Sequence, residues 1–282
     1  MVSFRNRLNC LDEVSERFLG LLAALGGYCT ALQGQELIAR SDGQARARLK
    51  ALERLGFLRR ITKYPVVFQV TKSTTRLLKR DSGSRRRHTL ATVQSRLLAV
   101  HFYLEARAWP AEFVLDHDKK VAIFSDLAAL AGCPVNVLPH RGGKPYLREH
   151  FVLWPPDWRL AVAMVDQPQP GVLLRLKVFL REFLPLLRQF GKELDLLIVT
   201  ADKRRSYVYE RLLKRNRAIL KLGLGELTTQ IKTYAVKPPV PSIVGLTWPT
   251  AEEHGEPLEG GECHHPSHSD ASQKHPREVI YE

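Results

Sequence analysis

Two carboxylates bracket an apolar run in the second half of the chain. Asp157 follows Trp154-Pro155-Pro156, and Asp166 comes directly after WRLAVAMV, residues Trp158 to Val165. A run apolar on both faces reads as a strand buried on both faces, so the two acids stand at its ends. Acidic oxygens so placed can hold Mg²⁺, and a nearby Lys can position or activate water, as in a metal-dependent nuclease. Here Gln167-Pro168-Gln169-Pro170 follows Asp166, and none of these is a Lys. Asp157 and Asp166 are candidate catalytic acids in an incomplete set. The alternative is that Asp157 caps a turn and Asp166 ends a strand.

A second chemistry is written in Ser41 to Thr71, SDGQARARLKALERLGFLRRITKYPVVFQVT. Ser41 with Gln44 three residues on fits a capping box. A basic helix follows, with Ala45, Leu49, Leu52 and Leu55 inward and Gln44, Arg46, Lys50 and Arg54 on its other faces; Gly56 ends it. Phe57 to Ile61 and Val66 to Thr71 read as strands around a Lys63-Tyr64-Pro65 turn. This is the pattern of a winged helix-turn-helix. Its recognition helix suits the major groove, and Arg59, Arg60 and Lys63 on the wing suit phosphates. Two further basic groups are candidates: Arg85, Arg86 and Arg87 in RDSGSRRRH, and Lys203, Arg204 and Arg205 opening a helix beyond the strand LDLLIVT. The start of that helix falls at the carboxyl end of a parallel strand, where open α/β sheets bind ligands.

The elements that must position these residues follow from periodicity. Leu11 to Gly26 has one apolar face of Val14, Phe18, Leu21, Leu22 and Leu25. Thr30 to Arg40 gives a short helix with Leu32 and Leu37 inward. Lys72 to Arg87 reads as loose chain, and Thr89 to Trp109 as a long helix limited by Pro110. Glu112 to Ser125 holds β-rich patches, including Val121 to Phe124; Asp126 to Gly132 is a short helix, and Pro134 to Gly143 a loop. Trp158 to Val165, the helix Val172 to Phe190 and Leu194 to Thr200 form a right-handed βαβ unit with parallel strands. Residues 221–235 are a weak last element. The expected fold is mixed α+β. Residues 1–80 form the winged domain, 81–88 a basic linker, 89–235 a small α/β domain, and 236–282 an acidic, disordered tail.

Charge separates these parts. The chain has 282 residues and a net charge of +14. Residues 1–110 carry 20 Lys and Arg against 8 Asp and Glu, whereas residues 236–282 carry 3 against 8. A basic field of this kind favours an anionic partner. The four cysteines have no C-x-x-C spacing, and Cys263-His264-His265, with His254, His268 and His275, lacks the spacing of a zinc site. No bound metal is therefore expected. Scattered cysteines, no signal core and no apolar run long enough to span a bilayer point to a cytoplasmic protein without a membrane partner.

The whole pattern resembles the replication-relaxation proteins of plasmids and integrative elements, over roughly residues 10–215. The residues that carry the likeness are Leu52, Gly56, Leu58 and Arg59, then Pro156, Asp157, Val165, Asp166, Lys177 and the strand Leu196 to Thr200. The resemblance implies a winged helix followed by a domain like the PD-(D/E)xK nuclease fold. It also implies a DNA-binding role in replication or relaxosome handling, with Lys177 among the basic positions. The family's strand carries Glu, an apolar residue, then Asp; here Met164 stands in the place of Glu. In the PD-(D/E)xK pattern a Lys follows the acid by two residues, and here that place is Pro168. This departure favours binding over catalysis. The expected function is a DNA-binding accessory factor, with duplex DNA as partner and replication or relaxosome proteins as candidate further partners. The alternatives are a divergent Mg²⁺ nuclease and a winged-helix regulator or antitoxin-like repressor. The long helix from Leu90 to Leu104 is a candidate homodimer interface.

Overall fold

The computed structural model describes residues 9–38, 41–78, 88–130, 132, 140–141, 144–145, 147, 151–154, 159–190, 194–215, 231–237, 243 and 246. Asp157, the Arg85-Arg86-Arg87 arm and the Cys263-His264-His265 run lie outside the described residues. The described chain is mixed α+β. It begins with α1 (Glu13–Ala24), β1 (Tyr28–Thr30), α2 (Ala31–Ile38), α3 (Asp42–Arg54), β2 (Leu58–Thr62), β3 (Val67–Val70) and α4 (Lys72–Leu77). The three strands form one antiparallel sheet in the order β1-β3-β2, with Phe68 opposite both Cys29 and Arg60.

Local chemistry sets these helices, with some surprises. Asp12 caps α1 by accepting from the Ser15 amide at 2.8 Å. The buried positions of α1 are Ser15, Phe18, Leu19 and Leu22, followed by Leu25 just past its end. Val14, expected inward, is 42% exposed. Phe18, Leu22 and Leu25 are inward as expected, but Ser15 and Leu19 take the places expected of Val14 and Leu21, which turns the buried face part of the way toward the next residue. On α2 the expected Leu32 is 64% exposed, while Gln33 is buried. The cause is a capping box one element earlier than expected. Thr30 Oγ1 accepts from the Gln33 amide at 3.1 Å, and Gln33 Oε1 accepts from the Thr30 amide at 3.0 Å. Gln33 Nε2 also donates to the Leu97 carbonyl at 2.9 Å. Ser41 does occupy the N-cap position of α3, but its side chain makes no capping bond. The stretch after β3, expected to be loose, opens with α4, capped by Thr71.

The chain continues with α5 (Leu90–Ala106), β4 (Glu112–Val114), α6 (His117–Leu130), a ribbon of β5 (His140–Arg141) and β6 (Lys144–Pro145), β7 (Phe151–Trp154), β8 (Leu160–Val165), α7 (Val172–Phe190), β9 (Leu194–Thr200), α8 (Lys203–Arg215) and β10 (Ile231–Ala235). The five-stranded sheet runs β10-β9-β8-β7-β4. Strands β8, β9 and β10 are parallel, and β7 and β4 join antiparallel. The βαβ unit is thus present and extended by a further helix and parallel strand. Val121 to Phe124, expected as β-rich, is helical. Asp116 Oδ1 accepts from the amides of Asp118 and Lys119 at 3.0 Å each and starts the helix. Lys120, Phe124 and Ala128 then recur every fourth residue on its buried side. The strand β7 was not anticipated.

Alternation along the strands divides the core in two. Phe151, Leu153, Ala163 and Val199 face α5. Val152, Leu160, Val162, Leu196 and Ile198 face Leu176, Phe179, Phe183 and Leu187 of α7 and Tyr209 of α8. The first of these clusters is continuous with Phe18, Leu22, Leu49 and Leu52 of the N-terminal helices. The joining element is α5, buried on almost every side, as an all-round apolar helix must be. Among the described residues no helix is long and apolar enough to cross a membrane.

Candidate nucleic-acid interface

Helix α3 sends Ala45, Leu49 and Leu52 into the core, which turns its remaining faces outward. Arg46, Lys50 and Arg54, spaced four apart, form one exposed ladder, and Gln44 is exposed in the first turn. None of the three cations has an ion-pair partner among the described residues. Arg48 differs: it turns back to pair with Asp12 at 2.5 Å, which ties α3 to the start of α1. Gly56, at φ +77°, lets the chain leave α3 directly into β2.

The β2–β3 hairpin places Lys63 and Tyr64 at its tip, both exposed, Tyr64 at 87%. The two arginines expected beside them are engaged within the protein. Arg60 pairs with Glu53 at 3.0 Å and lies over the Phe68 ring at 5.8 Å. Arg59 Nε donates to Gln69 Oε1 at 2.8 Å. Gln69 Nε2 in turn donates to the Tyr28 hydroxyl at 2.6 Å, and that hydroxyl lies 2.5 Å from His88 Nδ1. Burial pushes the Tyr28 phenol well above its ordinary range, so it stays protonated and has a proton to give. This chain of bonds links the hairpin to His88, which precedes the Thr89 N-cap of α5.

Asp166, the described member of the candidate catalytic pair, is 3% exposed. Its amide continues the β8–β9 ladder by donating to the Val199 carbonyl at 2.8 Å. Its carboxylate receives Arg205 Nε at 2.5 Å, Arg175 Nη2 at 3.4 Å and the Tyr209 hydroxyl at 2.5 Å. Both arginines also hold the loop that follows, through the carbonyls of Gln167 and Gln169. Burial, reinforced by the Asp166 charge, raises the Tyr209 phenol well above its ordinary range. A divalent ion would have to displace two guanidiniums to reach this carboxylate. The arrangement therefore fastens α7 and α8 to the carboxyl end of β8. Arg205, expected to contact DNA, is spent here, with its side chain 25% exposed. Among the described residues no three His, Cys, Asp or Glu side chains gather to hold a metal.

The chain matches no family model, no curated protein and no solved structure.

Of the other expected contacts, Lys177 on α7 and Lys203 and Arg204 on α8 are exposed. Two features were missed. Tyr64 stood in plain view inside the basic Lys63-Tyr64-Pro65 turn, and an aromatic residue at a hairpin tip was the available signal. Arg175 carried no sequence signal, because its role depends on how the loop between β8 and α7 folds back to bring it onto Asp166, nine positions earlier.

Proposed function

We propose that this protein binds duplex DNA through a winged helix-turn-helix formed by α1 to α3 and the β1-β3-β2 sheet. The carrying observation is the exposed ladder of Arg46, Lys50 and Arg54 on α3, which has no ion pair among the described residues, beside a hairpin that presents Lys63 and Tyr64. A helix of this width enters the major groove, and its first turns reach base edges. Gln44 and Arg46 occupy those turns. Lys50 and Arg54 follow further along the groove, and Lys63 meets a flanking phosphate. In this reading the α/β part is a PD-(D/E)xK-like scaffold without catalysis, because Asp166 is occupied by Arg175 and Arg205. The proposed setting, as an accessory factor in the replication or mobilisation of a plasmid or integrative element, rests on the sequence resemblance.

The test is a titration of labelled duplex at two salt concentrations. Binding is expected to fall steeply with salt, because each phosphate contact releases counterions. Arg46→Ala with Lys50→Ala is expected to weaken binding and to shrink the log–log salt slope by up to about 2. Binding that ignores both salt and this double variant rules the reading out.

A further inference from the structure

We infer that the outer face of α7 and α8 is a second nucleic-acid surface, shaped for a single strand. The inference deepens the DNA-binding reading and rests on it only for the choice of a nucleic-acid partner.

Topology builds the surface. The chain passes from β8 to β9 to β10, moving the same way across the sheet each time. Right-handed crossovers then put α7 and α8 on the same side, running parallel to each other. Their shared anchor confirms the neighbourhood, since Arg175 of α7 and Arg205 of α8 both bind Asp166. The side they occupy is opposite the one that α5 and the N-terminal core cover.

Each helix buries one stripe against the sheet and leaves one outward. On α7 the outward stripe holds Leu174, Lys177, Val178 and Arg181; on α8 it holds Arg204, Tyr207, Val208 and Arg211. The spacing of three, one and three residues makes each set one helical face. Leu174 is 67% exposed, Tyr207 62%, Val178 44% and Val208 36%. The cations between them make no ion pair among the described residues. So large apolar side chains and exposed cations interleave turn by turn on two parallel helices.

That interleaving decides the occupant. A bilayer surface needs one continuous apolar stripe with the cations at its rim. Inserting this face would drag Lys177, Arg204 and Arg211 into the apolar layer. A duplex presents phosphates and sugars, and leaves exposed Leu and Tyr side chains unused. A single strand offers what the face offers in return: phosphates for the cations, and base faces that stack on an aromatic ring or rest on apolar side chains. Charge complementarity and the interleaved pattern both select a single-stranded polyanion.

The experiment uses the full chain and two labelled probes, an oligothymidylate and a mixed-sequence duplex, read by fluorescence anisotropy. Tyr207→Ala with Leu174→Ala is expected to weaken oligothymidylate binding about tenfold or more and to leave duplex binding unchanged. Tyr207→Phe, which keeps the ring, is expected to retain binding. Arg46→Ala with Lys50→Ala is expected to do the reverse, weakening the duplex alone. Both variant sites are exposed, and circular dichroism checks that the fold survives. If the wild type binds oligothymidylate but not duplex, the inference stands and the winged-helix reading falls. Three results overturn the inference: no oligothymidylate binding by the wild type, equal loss of both probes in the Tyr207/Leu174 variant, or binding to phosphatidylserine vesicles in place of the oligonucleotide.

Discussion

At the scale of single residues, the decisive contacts are the polar ones held inside the molecule. Asp166 neutralises two guanidiniums that are each about three-quarters buried. Replacing it with Asn leaves those charges uncompensated, and breaking one side of a buried pair is strongly destabilising. Asp166→Asn is therefore expected to cost about 2 kcal/mol or more, somewhat below the fully buried range because the arginines keep some water. Urea denaturation measures it, and an unchanged midpoint would show that the clamp carries no stability. Lys120 is the converse case. It is 2% exposed, gives a hydrogen bond to the Leu147 carbonyl at 3.4 Å and lies 5.9 Å from the Phe151 ring centre. Burial lowers its ammonium from 10.5 to about 8, against an opposing pull from Asp116. The folded state thus holds this proton less tightly than the unfolded chain does. Below pH 8 the fold bears the cost of a buried charge, and that cost fades as pH rises from about 8 toward 10.5, by up to about 3 kcal/mol. Relative to Lys120→Met, the wild type should gain stability over that window. Parallel stability–pH curves for the two proteins would refute the shift.

At the scale of elements, the sequence announced itself wherever pattern was local. The βαβ unit was legible because β8 and β9 are long apolar runs split by breakers and a helix of 3.6 period. Helix α3 was legible because its inward leucines recur at helical spacing between Ser41 and Gly56. The failures came where a side chain answers to something distant. Gln33 is polar and yet buried, because it closes the Thr30 box and reaches the Leu97 carbonyl on α5. Leu32 beside it is left 64% exposed. Apolar periodicity reads these two the wrong way round. The same holds for α6, where Val121 and Ile123 favour a strand but the Asp116 cap and the Phe124 and Ala128 contacts impose a helix. In the candidate interface, the exposed ladder on α3 was legible, whereas the internal partners of Arg59, Arg60 and Arg205 were not, since each partner lies across a turn or a crossover. A paired substitution puts this to the test. Gln33→Ala removes a reciprocal cap and a buried tertiary bond, and is expected to cost about 2 kcal/mol. Leu32→Ala is expected to stay within about 0.5 kcal/mol of the wild type. Equal effects in thermal melts would contradict the burial of one and the exposure of the other.

At the scale of the whole molecule, α5 decides how the parts depend on each other. It packs Val93 and Leu97 against Tyr28, Ile61 and Val67 of the three-stranded sheet. Through Leu98 and Phe102 it shares a second core with Phe151, Leu153 and Val199 of the five-stranded sheet. Phe102 also meets the rings of Trp109, Phe113, Phe151 and Tyr234 at 5.7 to 6.4 Å between centroids. From the far end, the Tyr234 hydroxyl reaches Glu105 at 2.5 Å and ties β10 to the same helix. A fragment ending at residue 78 would expose Tyr28, Ile61 and Val67 to water. Burial of such a side chain is worth about 1.5–3 kcal/mol, so the three together match a large part of the roughly 5–15 kcal/mol that holds a whole domain together. The fragment 9–78 is therefore expected to melt without a cooperative transition, and 9–110, which restores α5, to regain one. For the intact chain, tryptophan fluorescence and far-ultraviolet circular dichroism should report a single shared midpoint. The fluorescence comes from the four tryptophans, all at or beyond residue 109, of which Trp154 lies on β7 of the five-stranded sheet, while the dichroism is weighted by helices throughout. Two separated midpoints, or a cooperatively folded 9–78, would mean that the N-terminal helices stand without α5 and that the shared core couples nothing.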